Sequence, residues 1–402
     1  MKKSIMLVCK YTSLPSEGML TKLYYIAKYL SDLGHEVVLV RGTGHYFEDK
    51  KISEYSERNN FKLVTLRSLS YGRGSKIRRL ISWFIFEIKV FLFGLYYKKV
   101  DIYFASSPSI LTLLTCALLS KIKRSELVID IRDIWPLTII EEGGYSAKNI
   151  LVRFFSWIEK FSARNASAIV SSIPNLRDYY ENVLNIEKPH FFLPICLDEE
   201  VPSKVSINGR SLKQENVLNI GYIGSIGVSN NLDTFFEVIA KLNNTRNVHF
   251  HIFGDGEFRK RYINYCQNFS NVTFYGHIAR DQINSVYEKI DIGYVSCHES
   301  SLWKYGQSLN KLLSYMENAV PVIMSYPLSG YKTMVNEAGC GWFIQPNRAD
   351  LLTEAVNELK KMKSSDLLKM GLAGQAWVDE HRQYAKQVSE FSNFLEYYQT
   401  NE

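Results

Sequence analysis

VLNIGYIGSIGVSNNLDTFFEVIAKL, residues 217–242, decides the fold. An apolar, β-branched run stops at a glycine-bearing polar loop, and LDTFFEVIAKL then repeats its apolar residues at helical spacing. That is the strand, turn and helix of a parallel α/β sheet. Gly224 and Gly227 stand after the strand and ahead of the helix, where backbone N–H groups face a phosphate, and Ser225 and Asn230 add side-chain donors. The loop is not a GxGxxG and lacks the GKS or GKT ending of a P-loop, which speaks against a dehydrogenase or an NTPase.

The same alternation extends in both directions. Downstream lie NVHFHIFG, NVTFYG, IDIGYVS, VPVIM and CGWFIQ; upstream lies an earlier series, IMLV, EVVLV, FKLVTL, VDIYFA, ELVIDI and SAIVSS. At 402 residues the chain exceeds one ordinary domain, so the expected class is α/β with two Rossmann-like, doubly wound domains facing a cleft. Residues 1–195 form the first and 217–379 the second. The polar, proline-bearing stretch 196–216 links them, and an amphipathic helix at 380–402 could pack on either domain. Ligands belong at the carboxyl ends of the strands, where loops and helix N-termini converge.

Six cysteines without a CxxC pair fit neither a disulfide scaffold nor a zinc knuckle. The start, MKKSIMLVCKYTS, has an apolar run of strand length, so a cytoplasmic location is expected. The net charge is +7, and residues 1–200 carry all of it. Its densest part is RGSKIRRLISWFIFEIKVFLFGLYYKK, residues 73–99, whose only acid is Glu87. The basic excess is therefore local, and no nucleic-acid partner is expected.

At helical spacing, residues 73–99 show two apolar faces, one with Ile77, Ile81, Phe84 and Ile88, the other with Trp83, Phe86 and Val90. Glu87 and Lys89 in mid-run make a membrane span costly. Two readings stay open: a helix buried on two sides, or an interfacial helix whose Trp83 and Phe86 enter lipid while Arg73, Lys76, Arg78 and Arg79 meet anionic head groups.

Three further stretches could carry chemistry. YTSLPSEGML places Gly18 before the first helix, where a backbone approaches a ligand closely. IDIRDIWP ends a buried strand with Asp130, Arg132 and Asp133; Asp133 is suited to take a proton from a hydroxyl, or else caps the next helix or pairs with Arg132. KYGQSLNKLLSYMENAVPVI, residues 304–323, opens a helix with Ser308 as the expected N-cap and Asn310 and Lys311 in the first turn, near Lys304. A first-turn lysine opposes the helix dipole unless an anion sits beside it, so this is read as an anion seat. His249 and His251 share a strand face, but no third ligand accompanies them and no metal is expected.

GYIGSIG, HIFGDGEFRKR, FYGHIARDQINSVYEKIDIGYVS and SLNKLLSYMENAVPVI, in that order, resemble the C-terminal half of the retaining glycosyltransferases of family 4. DIYFASSPS and DIRDIWP resemble its bacterial surface-polysaccharide branch, including the fucosamine-transferase-like enzymes. The resemblance implies a GT-B fold, in which the last helix, 380–402, crosses back to pack on the first domain, and metal-independent transfer without a cofactor. It assigns the donor diphosphate to Gly224, Ser225, Lys304, Ser308, Asn310 and Lys311, and the nucleotide base to backbone at His277 and Ile278; Gly18, Asn230 and Ser314 are further donor-binding candidates. It gives the acceptor to Arg132 and Trp135, with Asp133 as catalytic base. The family's two acids, eight positions apart, correspond here to Gly306 and Ser314, and its diphosphate-loop Arg and Lys to Ser225 and Asn230.

The function expected is transfer of a hexose or N-acetylaminosugar from a UDP-linked donor to a polyprenyl-diphosphate-linked saccharide in O-antigen or capsule assembly. The enzyme would sit peripherally on the inner face of the cell membrane. Two other classes compete: a sugar-nucleotide 2-epimerase, and a non-catalytic nucleotide-sugar-binding subunit.

Overall fold

The structure is a computed structural model; it describes residues 2–17, 21–43, 55–58, 60–71, 75–197, 199, 217–278, 283–306, 309–327 and 333–397. The chain divides into two compact units. Unit 1 comprises Met1–Glu200, Tyr305–Ser308 and Gln383–Glu402; unit 2 comprises Val201–Lys304 and Leu309–Arg382. Most of the expected linker, 196–216, lies outside the described residues.

In unit 1 the strands are β1 (Ser4–Cys9), β2 (Glu36–Gly42), β3 (Tyr55–Arg58), β4 (Phe61–Leu66), β5 (Ile102–Ser106), β6 (Glu126–Ile131), β7 (Ala168–Ser171) and β8 (His190–Phe192). They form one sheet in the order β3-β4-β2-β1-β5-β6-β7-β8. Every pairing is parallel except β3 with β4. Strand order reverses at β1, between β2 and β5, which makes the carboxyl ends of β1 and β5 the switch point where such sheets bind ligands. The helices are α1 (Lys22–Asp32), α2 (Lys76–Tyr96), α3 (Ile110–Lys123), α4 (Leu137–Glu141), α5 (Ile150–Asn165) and α6 (Leu176–Asn182).

Unit 2 repeats the plan. Its strands, β9 (Leu218–Ile223), β10 (Val248–Phe253), β11 (Val272–Gly276), β12 (Ile292–Ser296), β13 (Val322–Ser325) and β14 (Gly341–Ile344), lie in the order β11-β10-β9-β12-β13-β14, all parallel. The helices are α7 (Asp233–Lys241), α8 (Arg259–Tyr265), α9 (Ile283–Tyr287), α10 (Asn310–Glu317), α11 (Met334–Ala338), α12 (Ala349–Lys361) and α13 (Ser364–His381). Here the order reverses between β9 and β12. A last helix, α14 (Tyr384–Tyr397), packs on α1 within unit 1, where Tyr384, Val388, Phe391 and Leu395 join Ile5, Leu7 and Phe104 in one core.

Helix α2 corrects the face read from sequence. Trp83 is 6% exposed and Phe86 fully buried, so neither faces outward; Ile77, Ile81, Phe84 and Ile88 do. The cause lies beneath the helix. Phe86 lies against Gly42, at the end of β2, and carries the Lys10 ammonium 5.1 Å from its ring, while the Trp83 indole donates to Tyr11. The Trp83 and Phe86 rings supply the cover this polar strand end needs, and the face with Ile77, Ile81, Phe84 and Ile88 is left outside. Arg78 and Arg79 are exposed, whereas Arg73 and the Lys76 side chain lie outside the described residues. Among the described residues no helix is long and apolar enough to cross a membrane.

Candidate functional site

At the unit 2 switch point the loop after β9 is pressed against the loop after β10. Gly224 donates its N–H to Phe253 O at 2.9 Å, and a Cβ on Gly254 would sit 1.8 Å from Gly224 O. Only glycine fits at 254, where φ is +142°. The packing bares the top of the β9 loop, where the Asn230 amide donates to Ser225 O (2.9 Å) and Oγ (3.0 Å).

Lys311 reaches this loop from the first turn of α10. Its ammonium donates to Asn230 Oδ1 and lies 5.0 Å above the Tyr222 ring, and a Cβ on Gly224 would meet it at 3.2 Å. Burial pushes the Lys311 amine down to about 8, against the pull of nearby Cys297. Tyr222 and Cys297 offer no negative charge, because burial raises both their acids. Among the described residues the cation therefore has neutral partners only, at a helix N-terminus with no acid in its first turn. The contrast with α7 is direct: its first turn holds Asp233, ion-paired with Arg261 at 2.9 Å.

The structure thus brings Gly224, Ser225, Asn230 and Lys311 together. Asn310 is exposed at the start of α10, and the N-cap is Leu309, one residue later than expected; Ser308 lies outside the described residues, as does Gly18. Ser314 turns its hydroxyl back to Asn310 O at 3.1 Å. Lys304 is exposed in a short 3-10 turn, and Ile278 follows β11, half-buried. His251 uses both ring nitrogens, toward Tyr275 OH (2.9 Å) and Asn219 Oδ1 (3.0 Å), and His249 meets Thr273 at 2.8 Å. Among the described residues no group of three His, Cys, Asp or Glu side chains is placed to hold a metal ion.

The unit 1 switch point is polar and inward-facing. Asp130, fully buried at the end of β6, accepts from Lys22 Nζ at 2.9 Å and Ser106 Oγ at 2.6 Å. The pair must be complete, since a lone charge at that depth is costly. Ser107 accepts the Arg132 N–H at 2.8 Å and, through its carbonyl, the Trp135 indole N–H at 3.1 Å, which fixes the loop bearing Asp133. The Trp135 ring is set edge-on to Trp83 and Phe155. Solvent reaches the Asp133 side chain, and its carboxylate has no hydrogen bond or ion pair among the described residues; α4 is capped at Pro136. Desolvation by surrounding protein raises its carboxyl above the usual aspartate range, with Arg132 opposing and Asp130 adding.

Arg41, buried at the end of β2, holds the loop that leads toward position 18. Its guanidinium donates to both Glu17 oxygens, 2.9 Å to Oε1, and to Thr65 at 3.1 Å. Lys22, Arg41 and Tyr222 were not legible as site residues. Their one signal was position, a charge closing an apolar strand or entering a buried helix face, and a tyrosine between two glycines.

Residues 218–361 match the family model described as glycosyl transferases group 1. No curated protein matches the chain by sequence. Among solved structures, sucrose-phosphate synthase from Thermosynechococcus elongatus covers 100% of both chains at TM-score 0.78 and 13% identity. Alr3699/HepE from Anabaena, solved with UDP and glucose, covers 98% of this chain and 99% of its own at TM-score 0.66 and 16% identity. WaaG, a glycosyltransferase involved in lipopolysaccharide biosynthesis, covers 97% and 98% at TM-score 0.66 and 15% identity. The fold is GT-B, and with the group 1 domain it defines the class, a glycosyltransferase.

Proposed function

We propose that the protein is a retaining transferase of family 4, in the bacterial surface-polysaccharide branch. It moves a hexose or N-acetylaminosugar from a UDP-linked donor to a polyprenyl-diphosphate-linked saccharide in O-antigen or capsule assembly, at the inner face of the cell membrane. The observation that carries this reading is Lys311, a partly buried ammonium with neutral partners at a bare helix N-terminus. A diphosphate supplies the missing negative charge, and the charge that grows on it as the glycosidic bond breaks is stabilised by the same group. The UDP held by the Anabaena structure of like fold supports this choice of nucleotide.

Chemically, the anomeric C–O bond to the diphosphate breaks and a bond to the acceptor oxygen forms on the same face. Asp133 receives the acceptor proton, and Arg132 and Trp135 hold its loop and contact the acceptor. No metal or cofactor enters the step. Thermal-shift titration with nucleotide sugars tests the donor, because a ligand of the native state raises its melting temperature. Stabilisation by UDP-sugars is expected; no stabilisation by any nucleotide sugar would overturn the reading. Donor incubated alone separates the isomerase, which would convert it without acceptor.

A further inference from the structure

In unit 1, α2 packs on α3 and α3 on α5, so the three helices form one layer. Its outer side carries large exposed apolar side chains on all three helices. Ile77 is 74% exposed and Ile88 60% on α2, Ile122 56% on α3, and Phe154 and Trp157 are exposed on α5 with their rings stacked at 6.1 Å. Trp157 stacks in turn on Phe161, over which the Lys121 ammonium of α3 lies at 4.9 Å, so the apolar stripe of α5 continues onto α3.

The charge on this layer has one sign. The three helices contain nine basic residues and two acids. Both acids, Glu87 and Glu159, are buried. Arg78, Arg79, Lys89, Lys121, Arg153 and Lys160 are exposed, so the three helices offer solvent cations and aliphatic or aromatic carbon with no carboxylate. A second copy is a poor occupant, because a two-fold contact would set this positive face against itself. An anionic bilayer fits both features: apolar side chains enter the acyl boundary while Lys and Arg meet head groups.

We infer that α2, α3 and α5 together form a docking surface for an anionic bilayer, with Phe154 and Trp157 of α5 as an insertion point. The inference rests on the membrane partner proposed above and names the surface that meets it. The test is flotation of the full chain with vesicles of phosphatidylcholine alone or with phosphatidylglycerol added. Wild type floats with the anionic vesicles only, and less in high salt. Phe154→Ser with Trp157→Ser, leaving α2 intact, raises the lipid needed for half-maximal flotation about tenfold or more.

Flotation of that variant like wild type would overturn the inference. So would a vesicle-free dimer, seen by sedimentation velocity, that the same substitutions dissolve, or retention on nucleic acid in place of vesicles. These side chains are exposed, so the variant keeps its melting temperature and its UDP stabilisation. Trp157→Phe provides a second readout: it still floats but loses part of the vesicle-induced blue shift of tryptophan emission, and an unchanged shift counts against insertion. Turnover of a soluble acceptor is read separately, so failure of the transferase reading leaves vesicle binding standing, and the reverse.

Discussion

Lys311 holds its charge at a cost to stability, because burial disfavours the ammonium. With its amine at about 8 rather than 10.5, the folded chain binds fewer protons than the unfolded chain between those values. The fold therefore bears the full cost of the charge below pH 8 and is relieved as pH rises toward 10.5. Lys311→Ala should melt no lower than wild type at pH 7, with any advantage fading toward pH 10.5, while transfer falls by about 10²–10³. UDP affinity of the wild type should weaken as pH passes about 8 and the ammonium is lost, which calorimetric titration reads. For Asp133→Asn the expectation differs in kind. Its carboxylate belongs to unit 1, so kcat should drop about 10²–10⁴ while UDP affinity stays as in wild type. A shared loss of both would remove Asp133 from the role of base. Lys311 stood out in the sequence because a first-turn lysine offends the helix dipole, and the structure sets it in the first turn of α10 against the β9 loop. Tyr222 did not stand out, because a tyrosine in an apolar strand reads as core until its ring is seen beneath an ammonium.

At the scale of elements, α2 marks where sequence reading stopped. Its two apolar faces are alike in hydrophobicity, and periodicity alone does not choose between them. The choice was made by side chains on other elements: Lys10 at the end of β1, Gly42 at the end of β2, and the Thr112 hydroxyl on α3, which donates to Glu87 at 2.6 Å. Strand existence was legible for the opposite reason, since runs such as ELVIDI and VHFHIF need no knowledge of their neighbours to be apolar and β-branched. The edge strands β3 and β8 were missed, being short and supported mainly by pairing. Glu87 gives this interface a pH dependence. Burial lifts its carboxyl from 4.5 to about 7, against hydrogen bonds from Thr112, Thr115 and Ser109 and the charge of Lys10. The folded state then holds the extra proton between those values, so stability contributed here falls as pH rises from 4.5 through 7. Glu87→Gln, which still accepts from Thr112, should raise the melting temperature at pH 8 by about 3 °C or more and leave it unchanged near pH 4.5.

The whole molecule places its two candidate sites on separate sheets with separate cores, and the chain returns to the first of them at its end. Alternation of strands and helices made the α/β class readable across the full length, because each βαβ unit carries its own signal. The packing of α14 had no such local signal, since an amphipathic helix fits any apolar face of its width. What holds it is Phe391, fully buried, with ring contacts to Phe104 of β5 at 5.7 Å and Phe191 of β8 at 5.5 Å. Phe391→Ala removes that ring from a core of unit 1 strands and α1, and should cost about 3–5 kcal/mol. Gly224, Asn230 and Lys311, the residues proposed to hold the donor, lie in unit 2, which has a different core. Denaturant unfolding of Phe391→Ala should therefore show unit 1 weakened while UDP affinity below the transition equals that of wild type. Loss of UDP binding in step with that weakening would show that the donor site depends on the first core, and the separate reading of the two sites would fall.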